Sequence, residues 1–197
     1  MNDLVAVGKD KFYITKFFHY RDMLWRTLEF LSQKAWGGIM YYDGRKARDA
    51  VSSGLHMPNG INVSPDGKMI YVSEFGNNKL LGYHKYESNG LNKAWERYVD
   101  THVDNIEVDP TNGDLWIGCH PVGYRIYDLF NWFKHLAPSQ VLRFKMEDNT
   151  VSSIEQIYAD DGSELQGSTT AAFVGGKVII GTVVKQTLVC DVNYLSS

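Results

Sequence analysis

Cysteine is scarce in this chain: among 197 residues there are two, Cys119 and Cys190, widely separated and without CxxC spacing. A cysteine-built zinc site and a thioredoxin-type redox motif are therefore both excluded. A free cysteine behaves as a small apolar residue, so two buried reduced thiols are the ordinary expectation and the redox compartment stays open. Long apolar runs are missing as well; none approaches the ~18 residues that a spanning helix requires. The opening stretch, MNDLVAVGKDKF, lacks the basic-then-apolar layout of a secretion signal. Nor is there an excess of one charge. The 20 basic and 23 acidic side chains are interspersed and leave a net charge of -3, so no electropositive face is offered to phosphate backbones and nucleic acid is not an expected partner. GxSxG, HExxH and Gly-rich phosphate loops are absent too, which leaves serine hydrolase, zincin and nucleotide chemistries without support.

What is present points to strands. Five Trp and twelve Tyr suit pleated surfaces, on which flat rings pack well, and the length suffices for one domain with a sizeable core. Four stretches share one grammar of polar head, alternating apolar strand, tight turn and second apolar strand. They are NDLVAVGKDKFYIT from Asn2, NGINVSPDGKMIYVS from Asn59, DNIEVDPTNGDLWIG from Asp104 and GSTTAAFVGGKVIIG from Gly167. Turns of Gly, Asp, Asn and Lys make each a β-hairpin. Their recurrence is close to the period of a four-stranded propeller blade with insertions, so the expectation is an all-β, partial β-propeller domain over residues 1–197, with about four blades. In a propeller the first strand of each blade lines the central channel. Asn2, Asn59, Asp104 and Asn105 would then bring hard oxygens to one axis, as Ca²⁺ requires. The competing reading is that Asn-Gly and Asp-Asn only shape the turns entering the strands.

Leu24, Leu28, Leu31 and Ala35 fall on one face of a helix, expected over about residues 20–36 and closed by Gly37 and Gly38. Phe17, Phe18, Trp25, Phe30 and Trp36 widen its apolar face, so it either caps the propeller or touches lipid. The stretch DLFNWFKHLAPS, with Phe130, Trp132 and Phe133 beside Lys134 and His135, has the same two readings. His120 lies at a strand end in WIGCHP, where a side chain reaching the channel mouth would be catalytic or structural.

NDLVAVG, PNGINVSPDGK, VDNIEVDP, TNGDLWIGCHP, LQGST and GKVIIGTV, in this order and spacing, resemble the C-terminal part of the paraoxonase family of calcium-dependent arylesterases and lactonases. The resemblance implies a six-bladed propeller with two Ca²⁺ ions, one catalytic and one structural. It places Asn2, Asn59, Asp104 and Asn105 on ligands of the catalytic ion and Asp3 on a ligand of the structural one. It places Met57, Tyr127, Thr169 and Val183 on the substrate pocket, His120 on a rim histidine, and Cys190 on a half-cystine whose partner lies outside this chain. It also implies small-molecule ester or lactone substrates, an extracellular or membrane-associated location, and a membrane- or lipoprotein-facing helix around Leu24 to Trp36. The family draws a further acidic calcium ligand and a histidine pair from blades ahead of the equivalent of Asn2, so the sequence is expected to be a truncated chain, with doubtful activity alone. A non-catalytic, membrane-associated accessory protein is the alternative that this reading leaves open.

Overall fold

A computed structural model describes residues 1–130, 135–184 and 186–192, and of residues 127–130 the backbone alone. The described residues form four antiparallel sheets with few helices, in two compact units, Met1–Val99 and Asp100–Ser197.

The first unit holds two four-stranded sheets, each running in chain order. One is β1 (Leu4–Gly8), β2 (Lys11–Lys16), β3 (Gly37–Tyr42) and β4 (Ala47–Leu55); the other is β5 (Pro58–Val63), β6 (Met69–Glu74), β7 (Lys79–Lys85) and β8 (Leu91–Tyr98). The second unit holds β9 (His102–Val108), β10 (Leu115–His120), β11 (Ser139–Glu147) and β12 (Thr150–Asp160) in one sheet. Its other sheet is β13 (Ser168–Val174), β14 (Lys177–Thr182) and β15 (Leu188–Asp191). The four hairpins expected from the sequence are the pairs β1–β2, β5–β6, β9–β10 and β13–β14. Gly67 and Gly113 turn two of them with positive φ, a conformation that costs a glycine little.

Burial in each full sheet is greatest in an inner strand and low in the last. Every residue of β6 and of β10 is buried, which explains why MIYVSE and LWIGCH read as near-continuous apolar runs rather than alternating ones. In the first unit Tyr13, Ile39, Tyr41, Ile61, Ile70 and Val72 form one core shared by both sheets; in the second, Trp116 and Val141 join Ala171, Val178 and Ile180. The outer strand β8 is mostly exposed, and there Lys79 and Lys93 both bond the Glu96 carboxylate, at 2.7 and 2.8 Å. These two partners hold the Glu96 pKa down at about 2.

The helix α1 is shorter than the sequence pattern suggests, running Met23–Ser32 from an Asp22 cap to a left-handed Gln33. Gly37 and Gly38 do not stop it. They open β3, where a Cβ on Gly37 would sit 2.4 Å from Pro58 Cδ and one on Gly38 2.2 Å from the Val51 carbonyl oxygen. The leucine face is also not a packing face: Leu24, Leu28 and Leu31 are exposed, and the residue α1 buries is Glu29. The Glu29 carboxylate accepts the His19 N–H at 2.9 and 3.0 Å and the Tyr20 N–H at 3.2 Å, anchoring the incoming segment to the helix. Glu29→Ala is expected to cost about 1–3 kcal/mol, since two amides lose their acceptor. Limited proteolysis should then cut first between Phe17 and Asp22, ahead of any cut in the strands.

A second helix, α2, spans Gly123–Phe130. Trp132, Phe133 and Lys134 of the aromatic loop lie outside the described residues, as do the side chains of Tyr127 and Phe130; His135 is exposed. No helix among the described residues is long and apolar enough to cross a membrane.

Candidate functional site

Three of the hairpins depart from regular register at the residues singled out in the sequence. Pro58 faces Glu74 and Ile61 faces Val72, three steps along β5 against two along β6, so an extra residue sits at Asn59–Gly60. Val103 faces Cys119 and Ile106 faces Ile117, again three steps against two, with the surplus at Asp104–Asn105. Ser168 faces Thr182 and Thr170 faces Gly181, which puts Thr169 out of register on β13. A bulge re-aims side chains that strict alternation would send to opposite faces. It gives adjacent Asp104 and Asn105, in the middle of a strand, a physical role that turn-shaping at a strand entrance does not supply. Register shifts also occur in other strand pairs, so it is the residues they carry that distinguish these three.

In the first unit, Asn2, Asp3 and Asn59 are tied together through Thr15, a fully buried residue of β2. The Thr15 hydroxyl donates to the Asn59 carbonyl at 2.7 Å and accepts the Asp3 N–H at 3.1 Å, while the Asn2 N–H donates to the Thr15 carbonyl at 3.0 Å. The Asp3 carboxylate accepts the Leu4 and Ile61 amides at 2.8 and 3.0 Å and so fastens the head of β1 to β5. Asn2 itself is exposed. Asn59 is buried, and its side-chain oxygen has no hydrogen-bond partner. Leaving such an oxygen unsatisfied costs about 1–3 kcal/mol. Met57, just ahead, is buried and holds a left-handed backbone at φ 55°.

In the second unit, Asp104 is buried and its Oδ2 lies 2.8 Å from His120 Nε2. His120, at the end of β10, is 2 % exposed and pairs with Asp104. The Asn105 amide donates to the Thr169 carbonyl at 3.1 Å, which directs its oxygen away from that bond. Gly118, across from the bulge, lies so close to β13 that a Cβ there would be 2.3 Å from the Thr169 carbonyl carbon. Asp104 with His120 and Asn105 with Thr169 are thus two hydrogen-bonded pairs that start from adjacent residues of β9. Val183 is half exposed in the bend after β14, and Tyr127 lies on α2 with its side chain outside the described residues. Both cysteines are free thiols; burial pushes Cys119 well above its ordinary pKa, with Asp104 adding to the effect, and burial also raises Cys190.

Among the described residues no group of three or more His, Cys, Asp or Glu side chains is placed to hold a metal. The candidate donors are mainly carboxamide oxygens, and their chemistry fits a hard cation such as Ca²⁺. The unpartnered buried oxygen of Asn59 is the observation that agrees with that fit.

Sequential antiparallel sheets with few helices place the described residues in an all-β class, and solved structures share this fold. A gluconolactonase from Xanthomonas campestris aligns at TM-score 0.56 and 18% identity over 92% of this chain and 53% of its own. The calcium-binding protein regucalcin from Agrobacterium tumefaciens aligns at TM-score 0.53 and 16% identity over 87% of this chain and 49% of its own. At such identities the likeness is one of fold. The sequence is more specific, matching the Arylesterase family over residues 1–192, and the chain belongs to that family. Human serum paraoxonase/arylesterase 1 is 39% identical over 97% of this chain, and chicken serum paraoxonase/arylesterase 2 is 34% identical over the same share. The chain spans about half the length of these relatives, 53% in each case.

Proposed function

We propose that this chain carries the metal- and substrate-holding half of a calcium-dependent hydrolase acting on aryl esters, lactones and organophosphate esters. Family membership supports an ester or lactone hydrolase, and the chain-order sheets suit blades of a six-bladed propeller. The single observation that carries the calcium reading is the buried Asn59 oxygen without a partner, on a bulged strand head. In this scheme Asn2 and Asn59 of the first unit, and Asp104 and Asn105 of the second, are ligands of catalytic calcium, and Asp3 is a ligand of structural calcium. Bound there, Ca²⁺ would polarise the ester or lactone carbonyl and stabilise the charge that develops on its oxygen.

The protein's own part is orientation. His120 fixes the Asp104 carboxylate through the 2.8 Å contact, and the Thr169 carbonyl fixes the rotation of the Asn105 carboxamide. Second-layer bonds of this kind set ligand geometry. In the same scheme Met57 of the first unit and Thr169 and Val183 of the second are substrate-contacting residues; the Tyr127 side chain lies outside the described residues. Water is the attacking group, and no nucleophile from this chain is needed.

The test is hydrolysis of phenyl acetate and an aliphatic lactone by the full-length protein. Turnover should fall ~10²-fold or more on chelation and return with added Ca²⁺. Chelator-insensitive turnover would reject the metal mechanism.

The exposed Leu24, Trp25, Leu28 and Leu31 of α1 favour a second role, contact with a membrane or lipoprotein surface. An extracellular or membrane-associated setting accords with that face and with relatives named as serum proteins.

A further inference from the structure

The last residue of β6 is a glutamate in the interior, and the expected site does not use it. Glu74 is 3 % exposed. Its Oε1 accepts the His56 N–H at 2.7 Å and the Asn77 Nδ2–H at 2.8 Å. Asn77 ends the 3-10 turn Phe75–Asn77 that follows β6. Two main-chain bonds run alongside, from Phe75 N–H to the Met57 carbonyl at 3.1 Å and from Gly76 N–H to the His56 carbonyl at 3.0 Å. Gly76 presses on the same residue, since a Cβ there would lie 2.4 Å from His56 Nδ1. The two-residue segment His56–Met57 is thus held by one carboxylate, two main-chain bonds and one close contact.

Met57 is the second residue of this segment, with φ at 55°. A non-glycine in that region persists only where its surroundings over-determine it. Hydrogen bonds accepted by a carboxylate are among the stronger ones available for the purpose. Two residues on stands Asn59, whose side-chain oxygen is the unpartnered atom of the first unit's candidate site. The bulge at Asn59–Gly60 begins directly after Pro58, which faces Glu74 in the strand register.

We infer that Glu74 is a positioning residue: its carboxylate clamps the His56 backbone, keeps Met57 left-handed, and so sets where the Asn59 oxygen and the Met57 side chain stand for metal and substrate. The inference rests on the function proposed above. Glu74 touches neither metal nor substrate in this scheme and acts only through the segment it holds. Lys79, opposite it on β7, feels the Glu74 charge but hydrogen-bonds Glu96, and the two bonds to Glu74 Oε1 come from a backbone and a carboxamide donor.

The test compares Glu74→Ala with Glu74→Gln in the full-length protein. Glutamine keeps an oxygen able to accept both donors and alanine does not. Amide hydrogen exchange at His56, Phe75 and Gly76 reads the clamp directly, calcium titration reads Asn59, and KM against kcat on an aliphatic lactone reads Met57. Expected for Glu74→Ala are ~10-fold or faster exchange confined to these amides, calcium affinity weaker by ~10-fold, and a raised KM, with Glu74→Gln within about twofold of wild type. Wild-type exchange and calcium affinity in Glu74→Ala, or equal losses in both variants, would overturn the clamp. Should Glu74→Ala not fold, Gly76→Ala displaces the His56 ring with Glu74 intact; it should move the same readouts in the same direction, and wild-type values there would equally overturn the proposal. If wild type itself neither binds calcium nor turns over lactone, the proposed function fails, while the exchange measurement still decides the clamp.

Discussion

Asp104→Ala is expected to abolish calcium uptake and lower turnover of aryl esters and lactones by ~10³-fold, about 4 kcal/mol of transition-state stabilisation. Two losses combine in this change. The scheme gives Asp104 as the charged member of an otherwise carboxamide donor set in this chain, and ligand charge count tunes calcium affinity. The substitution also removes the acceptor that His120 Nε2 meets at 2.8 Å inside the protein. Asp104→Asn separates the two, because a carboxamide retains an oxygen for the imidazole and gives up only the charge. Isothermal titration with Ca²⁺ and rates on phenyl acetate decide the matter. Uptake unchanged in Asp104→Ala would remove the basis for the calcium site.

Gly118→Ala should cost about 3 kcal/mol of stability, at the upper end of what overpacking a well-filled interior does. The added methyl would stand 2.3 Å from the Thr169 carbonyl carbon and 2.4 Å from the Thr170 nitrogen. Neither is the far end of a flexible side chain, so β10 and β13 must move apart. The Thr169 carbonyl that would shift is the acceptor for Asn105, hence the variant should lose activity out of proportion to its loss of fold at assay temperature. Denaturant unfolding gives the stability change, and activity at low temperature gives the remainder. If the two fall in strict proportion, Gly118 serves packing alone.

Much of the β architecture is legible in the residues themselves. The hairpins announce themselves through turn chemistry that local φ requirements dictate, as in SPDGK and PTNGD. The bulges are not legible in the same way, because a surplus residue exists only relative to a partner strand. DNIEV has no signal that Asp104 and Asn105 share one register position, apart from a polar pair where alternation predicts one polar residue. Thr15 was missed for a related reason. Inside KFYITK it reads as an ordinary β-former, and its hydroxyl acquires a role only once Asp3 and Asn59 arrive beside it. Glu74 reads as the polar end of a strand, yet it is buried. The helix is a different case: α1 forms inside the expected span. A leucine spacing reports which residues share a face, and it cannot report what that face meets. Here α1 leaves the leucines out and turns Glu29 in, because two backbone amides of the incoming segment need an acceptor.

The outermost strand of the second sheet carries its own safeguard against acid. With Lys79 and Lys93 flanking it, the Glu96 pKa is held at about 2, so this triad keeps its charges at mildly acidic pH. A carboxyl whose pKa is depressed on folding favours the folded form in full above its ordinary pKa and loses that preference progressively as pH falls from there through the lower value. Edge-to-edge pairing along β8, the usual route by which bare strand margins recruit neighbours into fibrils, is therefore opposed by charge at mildly acidic pH as well as at neutrality.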